Sequence, residues 1–125
     1  MLQLLKVVSD RGSRYAVSGG VVTDRAAIDA FLKALKRDKK FAKATHNSWA
    51  VVLSGEGPLR NDDGESGAGA VILKMLERDA ITDTLVVVTR WYGGVHLGGD
   101  RFAHVVTCTR AFLEAWAMAE AKHGC

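Results

Sequence analysis

TDTLVVVTRWYGGVHLGGDRF, residues 82–102, is the stretch on which the fold turns. Leu85 to Val88 is an unbroken run of leucine and valine, too short and too β-branched for a helix, and it predicts a fully buried strand. The run passes through Thr89-Arg90-Trp91-Tyr92 into two glycine pairs, Gly93-Gly94 and Gly98-Gly99. Asp100-Arg101 follow, and a long amphipathic segment begins at once. A buried strand that breaks into a glycine-rich turn ahead of a helix is how proteins of sheet and helix build loops that face a ligand. Glycine there lets the backbone approach a partner closely or take positive φ.

Working outward, Phe102, Val105, Val106, Thr109, Phe112, Leu113 and Trp116 fall on one stripe and predict a closing helix over about 101–121. Upstream, a helix ending near Arg78 presents Ile72, Met75 and Leu76 inward. Residues 54–69 read as loop, rich in glycine and aspartate. A strand over about 44–53 is apolar on both sides, as a central strand requires. Ile28, Phe31, Leu32 and Leu35 stand at i, i+3, i+4 and i+7, a helix that Thr23 or Asp24 can cap. Residues 2–8 and 14–18 form a predicted hairpin about the Asp10-Arg11-Gly12 turn, and its second strand can run on through Val21-Val22. The order strand, strand, helix, strand, helix, strand, helix predicts an α+β fold, a two-layer sandwich with helices on one face of a mixed sheet.

The 125 residues are expected to form a single domain with an ordinary balance of 48% apolar and 25% charged residues. A net charge of +3 does not by itself argue for nucleic acid. Its distribution is more telling, since Lys33, Lys36, Arg37, Lys39, Lys40 and Lys43 face only Asp38 in that segment. The cluster reads either as a solvated helix end or as a patch for phosphate or an acidic partner. Cys108 and Cys125 form no disulfide framework or zinc spacing and read as reduced thiols. No run of 18 apolar residues or signal segment is present, so the chain reads as cytoplasmic, with no membrane partner.

Three groups of residues carry candidate chemistry. Asp62, Asp63 and Glu65 flank Gly64 and could hold a hard cation, but turn formation and capping of the next helix by Glu65 or Ser66 account for them, and no metal is assigned. His46 beside Asn47 could act as a general base. No nucleophile accompanies it: Ser48 lies on a regular strand, and Cys108 should be buried and inert. Arg90, Trp91, Tyr92, Gly93, Gly94, Asp100 and Arg101 make the third group. Their glycines match neither a dinucleotide nor a phosphate-loop fingerprint. An anion could sit at the helix start beside Arg90 and Arg101, although Asp100 is placed to cap that end. Trp91 and Tyr92 read as core or as a binding face.

ATHN at 44–47, DDGE at 62–65, VVVTRWYGG at 86–94 and LGGDRF at 97–102 together resemble the IMPACT family, whose bacterial branch includes the YigZ proteins. The resemblance covers about 13–116, and the RWYGG and DRF wording is closer to the eukaryotic branch. It implies a fold similar to domain two of small-subunit ribosomal protein five and to domain IV of elongation factor G. It also implies a non-enzymatic role in translation and stress response. Eukaryotic members are similar in binding the ribosome-associated activator of the general amino-acid-control kinase and so restraining phosphorylation of the initiation factor that delivers initiator tRNA. Actin is a further partner in the family. The family's N-terminal RWD domain and the bacterial C-terminal ferredoxin-like domain are not expected within this chain. Where the family tends to read Ala-Tyr-Arg after its histidine, asparagine and aromatic, this chain has Ala50-Val51-Val52.

The first expected function is therefore a protein-binding regulator with no catalytic residue, no cofactor and no small-molecule substrate. The alternative is an RNA- or ribosome-binding domain using the lysine cluster. Third stands an enzyme using His46 with the Asp62–Glu65 loop, which requires those residues to converge in one pocket.

Overall fold

A computed structural model describes residues 1–123, with side chains to Ala121; Cys125 lies outside the described residues. In chain order the elements are β1 (Leu2–Asp10), β2 (Ser13–Val21), α1 (Arg25–Leu35), α2 (Lys39–Ala42), β3 (His46–Leu53), β4 (Gly57–Asn61), α3 (Ala68–Arg78), β5 (Thr84–Trp91) and α4 (Asp100–His123). The strands make one sheet in the order β1-β2-β5-β3-β4. β5 lies at its centre, and Leu85, Val86, Val87 and Val88 are all buried. Each such side chain contributes about 1.5–3 kcal/mol by leaving water, which is why this run organises the sheet.

The α+β sandwich expected from the sequence forms, with two particulars corrected. The sheet is antiparallel at every pairing, not mixed. β2 and β3 do run parallel to each other, but β5 inserts between them and opposes both. Helices also cover both faces. Val86 and Val88 pack with Ile72, Leu76, Val105 and Phe112 of α3 and α4. On the reverse side, Leu85 and Val87 pack with Ile28 and Leu35 of α1 and with Phe41 of α2. A central strand that is apolar on both sides leaves no alternative, because an uncovered face would hold valine and leucine in water.

The expected loop over 54–69 contains the short strand β4, which among the described residues pairs only with β3. As an edge strand it tolerates Pro58, whose missing N–H costs a central strand a ladder bond. At the start of α1, Asp24 rather than Thr23 caps, its carboxylate accepting from the Ala27 N–H at 2.8 Å. Gly19 admits the Phe112 ring to the sheet, since a Cβ there would lie 2.3 Å from that ring. The start of α4 is tied to the β1–β2 hairpin twice. Asp100 pairs with Arg11, and His104 Nε2 meets Asp10 Oδ2 at 2.7 Å. The bonds from Arg11 and His104 hold the Asp10 carboxyl down at about 2.

Cys108 is fully buried in α4, and burial pushes its thiol up to about 12. It is therefore an inert core residue, as the sequence suggested. Of the two cysteines, Cys108 should resist iodoacetamide in the folded protein and react only after denaturation. Mass spectrometry of the alkylated peptides reads this directly, and rapid labelling of Cys108 without denaturant would contradict the packing.

Candidate functional site

The sheet register builds the site. Across β5, Arg90 pairs with Tyr15 of β2 on one side and His46 of β3 on the other. Directly opposed residues share a face, so these three side chains form one row on the sheet face that α3 and α4 cover. The loop between β4 and α3 then delivers a carboxylate onto the row. Glu65 and Arg90 are both buried, at 4% and 5% exposure. Arg90 Nη1 donates to both Glu65 oxygens, at 3.1 and 3.0 Å, and Arg101 Nη1 donates to Oε1 at 3.3 Å. Arg90 Nη2 donates to Ser13 Oγ at 3.3 Å, and its guanidinium lies 5.7 Å from the Tyr15 ring and 5.6 Å from the Tyr92 ring. A buried charge is tolerable only when paired and bonded in this way.

His46 stands beside the pair. Its Nδ1 lies 2.9 Å from the Asp63 carbonyl oxygen. A carbonyl can only accept, so Nδ1 carries the proton and Nε2 is left towards Glu65 Oε2, 3.9 Å away. Together with Tyr92, His96 and Arg101, these residues line a cleft of about 350 Å³. The convergence that an enzyme using His46 and the acidic loop requires is thus present.

The acidic loop is divided among tasks. Asp62, not Glu65 or Ser66, caps α3: its carboxylate oxygens accept from the Gly67 N–H at 2.9 Å and the Gly69 N–H at 2.8 Å. Gly67 takes the left-handed conformation at the cap, with φ 87, and its own side chain offers nothing. Asp63 accepts from the Asn47 N–H at 2.7 Å, locking the loop onto the start of β3. Only Glu65 turns inward. Asp62→Ala should cost about 1–2 kcal/mol, the range for a lost helix cap, read as a lower urea midpoint at unchanged slope. An unchanged midpoint would show that water satisfies those two N–H groups equally well.

His46, Glu65, Arg90, Tyr92 and Arg101 thus meet in the cleft, while the other expected site residues take structural positions. Trp91 points to the reverse face of β5, edge-on to Phe41, with its Nε1 donating to the Lys40 carbonyl at 2.9 Å. It belongs to the core beneath α1 and α2. Asn47 is buried, accepting from Thr89 Oγ1 and donating to the Phe41 carbonyl. Gly93 backs onto the Gly12 turn, and Gly94 has φ +92. Asp100 does not cap α4: it is the first residue of the helix, and its carboxylate pairs with Arg11. The N–H groups of residues 100–102 donate to the carbonyls of Leu97, Gly98 and Gly99, so the helix start offers no anion seat there. Any anion must be met by side chains. The six basic residues at 33–43 are exposed at the end of α1 and on α2, with Asp38 capping α2.

Tyr15, Ser13 and His96 also adjoin the site, and no sequence motif marks them. Tyr15 and Ser13 sit on β2, and only the cross-strand register reveals that they adjoin Arg90. His96 lies between the glycine pairs, and a histidine inside a glycine-rich turn was the signal available.

Residues 11–113 match the family described as the Impact N-terminal domain. The chain is 36% identical to the Protein IMPACT homolog of Caenorhabditis elegans over 116 residues, covering 86% of this chain and 45% of that protein. Against a solved structure of the two-domain translational regulator Yih1 it is 36% identical, with a TM-score of 0.50, covering 82% of this chain and 42% of that one. A solved hypothetical protein, 22% identical, shares the fold at a TM-score of 0.75 over 90% of this chain and 56% of its own. The chain spans between 33% and 45% of the length of curated relatives that it matches.

Proposed function

The chain belongs to the IMPACT family, and on that footing we propose that it regulates translation by binding a protein partner. The observation that carries this reading is the 36% identity to a translational regulator across 82% of the chain. The partner proposed is the ribosome-associated activator of the general amino-acid-control kinase. Occupying that activator would restrain phosphorylation of the initiation factor that delivers initiator tRNA. The setting proposed is the cytoplasm, and no described helix is long and apolar enough to cross a membrane.

The site chemistry favours binding over catalysis. Glu65 is neutralised by two guanidiniums. Ser48 donates to the Asp62 carbonyl, Thr89 donates to Asn47, and the Cys108 thiol is buried. An activated nucleophile needs a base within hydrogen-bond reach, and none of these three groups is placed on His46.

The purified chain should bind the kinase-binding segment of the activator with a dissociation constant of about 1 μM or tighter, and should lower initiation-factor phosphorylation in a reconstituted assay. Absence of binding at roughly tenfold higher concentration would sink the proposal. A second reading, RNA or ribosome binding, draws on the exposed basic residues at 33–43. It requires affinity that falls steeply with salt as phosphate contacts release counterions.

A further inference from the structure

We propose that the cleft between β5, the Asp62–Glu65 loop and the start of α4 is a binding site for a small phosphomonoester that carries a planar ring. The charge of the lining is the first argument. Two guanidiniums, Arg90 and Arg101, face one carboxylate, Glu65, so the cleft keeps a surplus positive charge even with both histidines neutral. That surplus disfavours a cationic ligand and favours an anion.

The unused donors are the second argument. Arg90 is nearly fully buried, yet its Nε–H has no partner among the described residues. Leaving such a group unmet costs about 1–3 kcal/mol, more when it is charged. Because that nitrogen is closed to solvent, Arg90 acts on a cleft ligand through its charge rather than through Nε. Arg101 spends Nε on the Gly98 carbonyl and Nη1 on Glu65, which leaves Nη2 without a partner among the described residues. His46, with Nδ1 committed to the Asp63 carbonyl, turns Nε2 to the cleft lining beside Glu65 Oε2, 3.9 Å away. A free guanidinium donor beside a second guanidinium charge suits the oxygens of a phosphate.

Size and shape carry the rest. A volume of about 350 Å³ far exceeds one tetrahedral anion and falls in the range of small-molecule sites. Tyr92 is 42% exposed, with the His96 ring 5.6 Å from its own. Both rings line the same cleft, and a flat group attached to the phosphate can stack there.

The test titrates the whole chain with orthophosphate, adenosine 5′-monophosphate and a short oligouridylate, following the His46 and Tyr92 signals by NMR. The monophosphate should bind one to one, about tenfold tighter than orthophosphate if the ring contributes roughly its expected stacking. Arg101→Gln should weaken it by at least about tenfold, and Tyr92→Ala should bring it down to the level of orthophosphate. The doubly substituted Lys36→Gln/Arg37→Gln protein should bind as before. Three results overturn the proposal: no saturable change on the unmodified chain up to roughly 10 mM, unchanged affinity in folded Arg101→Gln, or oligouridylate binding that far exceeds the monophosphate and is lost with Lys36 and Arg37. The unmodified-chain titration decides the matter should Arg101→Gln fail to fold.

Discussion

Glu65→Ala is expected to destabilise the protein by about 3–5 kcal/mol, the cost of leaving a buried partner charge uncompensated. Arg90 is 6% exposed at its side chain and gives both Nη1 bonds to this one carboxylate. With Glu65 gone, Ser13 Oγ is its only remaining bonded neighbour among the described side chains. Arg101 loses its anchor as well, so the start of α4 loosens with it. The melting temperature should fall by roughly 10 °C or more for a chain of this size. Glu65→Gln keeps a hydrogen-bond acceptor without the charge and should lie between the two. The double substitution Glu65→Leu with Arg90→Met supplies the diagnostic contrast. Removing both charges together should recover most of the loss, because the penalty comes from orphaning one charge. Equal instability of the single and double variants would mean that shape, not charge, governs this position.

Gly93→Ala is the second large effect expected, at about 3 kcal/mol or more. A Cβ on Gly93 would lie 2.1 Å from the Gly12 carbonyl carbon and 2.4 Å from the Ser13 nitrogen. Both are backbone atoms of the β1–β2 turn, so no side chain can rotate aside to make room. The Gly93 N–H also donates to Ser13 Oγ at 3.1 Å, the hydroxyl that accepts from Arg90. Displacing the turn therefore disturbs the buried pair as well. Gly94→Ala is the control. Its position has φ +92 but open space around it, so the substitution should cost only the backbone strain, about 1–2 kcal/mol. Denaturant midpoints should separate the two variants clearly. If they coincide, close approach is not what requires glycine at 93.

Much of the fold was legible because hydrophobic periodicity reports which face of an element is buried. The Leu85–Val88 run, the stripe from Ile28 to Leu35 and the stripe along the last helix all correspond to elements of the structure. Periodicity does not report which strand lies beside which. The sequence order therefore predicts a mixed sheet, whereas β5 separates two strands that run the same way. β4 is not legible in the sequence because Gly55, Gly57 and Pro58 carry turn chemistry that only an edge position reconciles with a strand.

The site divides along the same line. The sequence by itself determined that His46, the Asp62–Glu65 loop and the residues from Arg90 to Arg101 are chemically unusual, and its motifs determined the family. It could not separate Asp62, Asp63 and Glu65, since each carries the same carboxylate within four residues of glycine-rich loop. Tertiary structure separated them by what each oxygen meets: the N–H groups of α3, the backbone of β3, and the guanidinium of Arg90. It likewise split Trp91 from Arg90, because adjacent residues on a strand point to opposite faces. The reason is distance along the chain. Glu65 and Arg90 stand 25 residues apart, and Ser13 and Arg90 stand 77 apart. Local pattern carries no record of such meetings, which register and the docking of α3 and α4 alone decide.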